Sequence, residues 1–283
     1  MRKVTAIMAA AVVVLLLAAA CGDGGGEPTT TPTTTPTSAL TATLTPEPTP
    51  RGGAQPAATY LSLGDSRATS VGASDPLSTG YVPLVHQQLQ ESDRYKDREL
   101  ELVNLGVTVG ESSATMLRPG GQLEKALAKI QGRTDDKPVE IITLAIGGPT
   151  LERIIDRGPC PADPFGEACL VRAMELLAEY EQNLRQALKA LREAAPKANI
   201  VVLGAHNPRV GTSQELVDFG VQQLNGVMAR VAGEEQIGAK MADPFALFQP
   251  RPASEVLALD KVHPNDAGYA LLAEVVMAAL EEC

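Results

Sequence analysis

Tyr60-Leu61-Ser62-Leu63-Gly64-Asp65-Ser66 decides the fold. A short apolar run ending in glycine and two small polar residues reads as a buried strand that breaks into a tight turn. Similar runs recur at 100–105, 141–146 and 200–203. Between them the apolar period lengthens to that of a helix, at 81–89, 123–130, 216–231 and 267–280. A further stripe of Leu170, Met174, Leu177, Leu184, Leu188 and Leu191 is broken by Glu181. Strands alternating with helices imply an α/β domain whose parallel sheet is covered on both faces. In such a sheet the polar residues that follow each strand gather at one edge, where ligands bind.

Four stretches fall at that edge. Gly64-Asp65-Ser66 ends the first strand, Asn104-Leu105-Gly106 the second and Gly147-Gly148 the third. Asp260-Lys261-Val262-His263-Pro264 opens the last helix. A serine hydroxyl is a poor nucleophile at neutral pH; it needs an imidazole to take its proton and an acid to hold that imidazole in the right tautomer. Ser66, His263 and Asp260 supply those three groups. Each also has a plainer reading. The glycines suit strand-end turns, Asp260 suits a turn, and Pro264, Asn265 and Asp266 suit a helix start whatever His263 does. His206, after the fourth strand, stands at the right edge for substrate contact but reads first as a hydrogen-bonded loop residue; Asp75 and the Asp163 loop are candidates to line the cleft but read first as solvated surface.

The order and placement of these blocks resemble the SGNH (GDSL-type) esterases and lipases across nearly all of 59–283. The resemblance implies a flavodoxin-like three-layer α/β/α sandwich with a central parallel sheet, hydrolysis of carboxylic esters, and no metal or cofactor. It also implies roles. Ser66 is the nucleophile, His263 the general base and then acid, and Asp260 the residue orienting the imidazole. The backbone N–H groups of Ser66 and Gly106 face the oxyanion. One block departs from the pattern. Where the family reads Gly-x-Asn-Asp, this chain reads Gly147-Gly148-Pro149-Thr150. Proline has neither a side-chain donor nor an N–H, and losing one oxyanion donor typically costs about 10²–10³ in rate. A slow serine esterase is therefore expected, with a catalytically impaired SGNH-fold binding lipoprotein as the alternative. Arg67 stands where the GDSL name has Leu. A two-lobed solute-binding lipoprotein fits 225 residues without an internal boundary poorly.

Outward from this domain the chain changes character. Met1-Arg2-Lys3 precedes 17 uncharged, mostly apolar residues that end in Leu17-Ala18-Ala19-Ala20 and are followed by Cys21, the layout of a signal peptide. The small residues before Cys21 resemble a bacterial lipobox, which implies a lipidated Cys21 and a membrane lipoprotein facing outside the cytoplasm. An uncleaved anchor and an ordinary cleaved secretory signal stay open. Residues 21–58, rich in Thr and Pro, read as an extended linker too polar to offset the entropy of folding. Cys160 and Cys169 bracket a turn-rich loop and read as a local disulfide; Cys283 is left over. The formal charge of −10 and the absence of Trp argue against a nucleic-acid partner. With three histidines and no Cys/His cluster of ligand spacing, no metal site is expected. The expected partners are the membrane and a small-molecule, glycan or lipid ester.

Overall fold

A computed structural model describes residues 57–134, 137–163, 165–210 and 215–281. The signal segment, Cys21, residues 21–56 of the linker and Cys283 lie outside the described residues. The elements in order are β1 (Ala58–Gly64), α1 (Tyr81–Glu91), β2 (Leu100–Asn104), α2 (Gln122–Gln131), β3 (Val139–Ala145), α3 (Gly148–Ile155), α4 (Glu167–Ala194), β4 (Asn199–Leu203), α5 (Glu215–Ala232), β5 (Lys240–Ala242), α6 (Phe245–Phe248), α7 (Ala253–Val256) and α8 (Asp266–Glu281).

The five strands form one sheet of order β2-β1-β3-β4-β5, with every pairing parallel. Alternate strand residues face opposite layers. Leu61, Leu63, Ile142, Leu144, Ile200 and Val202 meet α2, α3, α4 and α5 on one side. Tyr60, Ile141, Ala145, Val201 and Leu203 meet α1 and α8 on the other. This is the three-layer α/β/α sandwich the resemblance implies. The chain reverses its direction of sheet growth between β1 and β3, and the crevice at such a switch point is where open parallel sheets bind ligands. Ser66 follows β1 directly.

The short helices α3, α6 and α7 were not expected, and β5 and the α4 stripe depart from the expected pattern as well. β5 has only three residues, Lys-Met-Ala, and no apolar run announces it; its pairing with β4 makes it a strand. The α4 stripe is also rotated at its start. Leu170 and Met174 are exposed, while Cys169, Ala173, Leu176 and Tyr180 face inward and continue through Leu184, Leu188 and Leu191. The first two inward positions of α4 hold the small Cys169 and Ala173, so the larger Leu170 and Met174 are misleading guides to orientation. The Cys160–Cys169 disulfide forms as expected, with an S–S distance of 2.02 Å. Both sulfur-bearing residues are buried, so the bridge ties the segment after α3 to the first turn of α4.

Candidate active site

The turn after β1 is built around Gly64. Its φ is +142°, and a Cβ there would lie 2.1 Å from the Ala145 carbonyl oxygen on β3, so only glycine fits. Gln122, buried at the start of α2, satisfies the turn's backbone. Its side chain accepts from Gly64 N–H at 2.8 Å and donates to Gly64 O at 2.9 Å and Leu105 O at 2.9 Å. Asp65 then points under the turn. Its Oδ1 accepts from the Arg67 N–H at 3.1 Å and Nε at 3.2 Å, and its Oδ2 from Arg67 Nη2 at 3.3 Å and Gly148 N–H at 3.2 Å. Arg67 Nη1 reaches across to Gly204 O at 2.7 Å. Burial alone would lower the pKa of this guanidinium, but the Asp65 charge and hydrogen bonds outweigh it and raise it. The Asp65–Arg67 pair thus ties the turn carrying Ser66 to the ends of β3 and β4.

Ser66, held by this clamp, meets the loop before α8. The Ser66 Oγ lies 2.9 Å from His263 Nε2, and His263 Nδ1 lies 2.6 Å from Asp260 Oδ2. A carboxylate only accepts, so Nδ1 carries the hydrogen and Nε2 is left to accept from the serine hydroxyl. Asp260 Oδ1 also accepts the Val262 and His263 N–H groups, at 2.9 and 3.0 Å. Partial burial pushes the Asp260 carboxyl up, but these hydrogen bonds prevail and hold it below its ordinary pKa. An imidazole so oriented can draw a proton from a serine and return it to a leaving group.

Ser66 and His263 sit on a cavity of about 500 Å³. Thr108, Val109, Gly110 and Glu111 form the wall after β2. Pro149, Leu151, Glu152, Ile155 and Asp156 form the α3 wall, with Gly148 at its start. Ala205, His206, Pro208 and Arg209 form the wall after β4, and Arg67 and Val262 complete it. Arg209 pairs with Asp156 on this rim. Glu111 is nearly buried, which raises its carboxyl pKa. Among the described residues no group of three or more His, Cys, Asp or Glu side chains is gathered closely enough to hold a metal ion.

One expected oxyanion donor has an acceptor of its own: the Gly106 N–H donates to Asn104 Oδ1 at 2.9 Å, and Gly106 is not on the cavity wall. Asn104 in turn donates from Nδ2 to Ala68 O at 2.7 Å. Glycine at 106 serves close packing instead, since a Cβ there would lie 2.9 Å from that of Ala68. Four residues on, Gly110 does line the cavity. Among the described residues, neither the Ser66 nor the Gly110 N–H donates to a protein acceptor. Pro149 sits in the first turn of α3 on the cavity wall. Thr150 is buried and lines an adjoining cavity of about 190 Å³ with Ser112, Ser113 and Tyr180 rather than the cavity of Ser66. Asp75 caps its own turn, accepting from Leu77 N–H and Ser78 Oγ, and neither it nor Asp163 lines the cavity. Sequence reasoning missed Glu111, Gln122 and the α3 wall. Only Gly110 carried a readable signal, as a second glycine in the same loop.

Known proteins resemble this chain in sequence and in fold. The GDSL-like Lipase/Acylhydrolase family matches residues 62–271. The GDSL lipase Rv0518 of Mycobacterium tuberculosis is 32% identical over 123 residues, which cover 43% of this chain and 44% of that protein; the match thus spans less than half of that relative. The spore germination lipase LipC of Bacillus licheniformis is 24% identical over 226 residues, 78% of this chain and 95% of that one. Among solved structures, the lipase Lip_vut3 from a goat rumen metagenome superposes with a TM-score of 0.60 at 23% identity, covering 78% of this chain and 96% of its own. The acetyl-xylooligosaccharide esterase Axe2 of Geobacillus does so with 0.58 at 22%, covering 79% and 94%.

Proposed function

The chain belongs to the GDSL-like lipase/acylhydrolase family, a family of ester hydrolases, and from that premise we propose that it is a serine esterase working through Ser66, His263 and Asp260. The observation that carries this reading is the continuous relay from Ser66 Oγ through His263 to Asp260, at 2.9 and 2.6 Å, on the wall of the cavity. Ser66 attacks the acyl carbonyl as His263 Nε2 takes its proton, and Asp260 stabilises the imidazolium that results. His263 then hands the proton to the departing alcohol. Water, deprotonated by the same ring, releases the acid. The Ser66 N–H, on the cavity wall beside the nucleophile, is the backbone donor we assign to the oxyanion.

Pro149 supplies no third donor, so turnover is slow. The same residue favours the second reading, a binding protein that kept the fold and lost useful catalysis. Leu151, Ile155 and Pro208 on the walls suit an apolar acyl or alcohol group. Relatives described as lipases and as an acetyl-xylooligosaccharide esterase make lipid and glycan esters the substrates to try. The test is hydrolysis of short-chain aryl esters by the purified protein, with a fluorophosphonate probe on Ser66. Slow hydrolysis and labelling, both lost in Ser66→Ala, are expected. An alanine variant as fast as the parent rules out Ser66. A parent that is labelled by nothing and hydrolyses nothing favours the binding protein.

A further inference from the structure

We infer that His206 is a positioning residue for this reaction, holding the Val262 carbonyl so that the loop before α8 keeps His263 aimed at Ser66. The inference rests on the roles proposed for Ser66, His263 and Asp260.

That loop is lightly held. Leu259 is fully exposed and Val262 half exposed, and Lys261 has a φ of 58°. Most of its hydrogen bonds are internal. Asp260 Oδ1 gathers the Val262 and His263 amides, Lys261 N–H donates to Ala258 O, and Ala258 N–H donates to His263 O. Such bonds shape the loop without deciding where it stands relative to Ser66. His206 supplies a tie from outside, its Nε2 lying 3.1 Å from Val262 O, 56 residues away in sequence.

His206 is itself anchored. Its ring packs against Phe248 with centroids 4.9 Å apart and is 6% exposed. The backbone before it is fixed on two sides. Gly204 N–H donates to Ala242 O at 2.8 Å. Asn225, buried in α5, accepts from Ala205 N–H at 2.8 Å and donates to Ala205 O at 2.9 Å. Gly204 O accepts from Arg67, next to the nucleophile, at 2.7 Å. The segment 204–206 is therefore a strut with one end on the Ser66 turn and the other on the His263 loop. Groups in different elements must be held to within a few tenths of an ångström for proton transfer, and this strut spans the two.

The ring's protonation suits the task. A carbonyl only accepts, so the hydrogen must reside on Nε2, and Nδ1 has no partner among the described residues. Burial, and next the positive charge of Arg67, lower the pKa of His206 to about 4. Asp65 and His263 are the other ionisable side chains that face it. At neutral pH the ring has one N–H, and it is committed to Val262.

Three proteins decide the matter: the parent, His206→Gln and His206→Leu. The Gln side chain amide reaches about as far as imidazole Nε2 and keeps a donor there; Leu does not. Leu should lower kcat by about tenfold or more with KM little changed, since misplacements of about 1 Å remote from the chemistry can cost 10². Gln should recover most of that loss. The low-field proton resonance of His263 Nδ1–H, bonded to Asp260, should persist in the parent and the Gln variant and broaden away in the Leu variant. This signal is read without turnover, so it tests the positioning role even if the parent proves inactive and the esterase reading fails. Equal losses in Gln and Leu, or a rise in KM alone, would show that Nδ1 contacts substrate and would overturn the inference. So would an unaltered His263 resonance in the Leu variant. A Leu variant too unstable to assay leaves the decision to Gln, whose kcat and His263 resonance must match the parent's.

Discussion

At the scale of the residue, the site turns on two positions. Pro149 lies in the first turn of α3, where a backbone N–H has no intrahelical partner and a residue other than proline can stand without breaking the helix. Pro149→Asn should therefore raise kcat, by about 10-fold or more but less than the full value of an oxyanion donor because the loop is shaped around proline. Thr150→Asp added to it would place a carboxylate at a buried position, so the single variant is the cleaner measurement. Unchanged kcat in steady-state assays would mean that another group already serves the oxyanion. His206 makes a second prediction, on stability. Its folded pKa of about 4 lies below the unfolded value of about 6.5. Between those values the unfolded chain binds a proton that the folded one refuses, so stability present above pH 6.5 is lost as pH falls toward 4. Urea unfolding at pH 7 and 4.5 should show a larger drop for the parent than for His206→Gln, by an amount on the order of a few kcal/mol. Parallel losses would mean that the imidazole is not buried uncharged.

At the scale of the element, α4 separates pattern from packing. Leu184 is fully buried and Met174 is 68% exposed, although both belong to the stripe read from sequence. Leu184→Ala should cost about 2–5 kcal/mol, and Met174→Ala should stay within about 0.5 kcal/mol, both by urea denaturation. A large loss at Met174 would restore the original stripe. The four longer strands and the five longer helices were legible because each repeats apolar residues at its own period over several turns or pleats. α3 was not, because Gly148-Pro149 looks like a turn and only eight residues follow the helical pattern. Yet α3 builds one whole wall of the cavity, so the missed element matters most for what enters the site.

At the scale of the whole molecule, the catalytic domain is one part of a longer design proposed for the chain. Among the described residues no helix is long and apolar enough to cross a membrane. From the lipobox-like residues before Cys21, we propose that acyl chains on Cys21 hold the protein at a membrane with its domain outside the cytoplasm. Several chains together anchor stably where one alone is marginal. In membrane fractionation and intact-mass analysis, Cys21→Ser should release the protein or block its processing; an unmodified Cys21 on a mature chain would overturn the expectation.

The sequence by itself determined the sandwich, through the periods of its apolar runs, and it put forward Ser66, Asp260 and His263 as the proposed reactive set, through their place at strand and helix ends. Those signals are local, and local periodicity survives reading one residue at a time. Only the tertiary structure decided which glycine faces the cavity, that Arg67 is a buried clamp on Asp65, and that His206 braces the loop of His263. Gly106 and Gly110 are the same residue four places apart. The Asn104 side chain that takes the Gly106 N–H separates them; that bond is local, but the side chain is turned toward it by its own donation to Ala68 O, 36 residues away. Arg67 and His206 act on Gly204 and Val262, 137 and 56 residues distant, and partners so remote are chosen by chain crossing, which no spacing within a segment records.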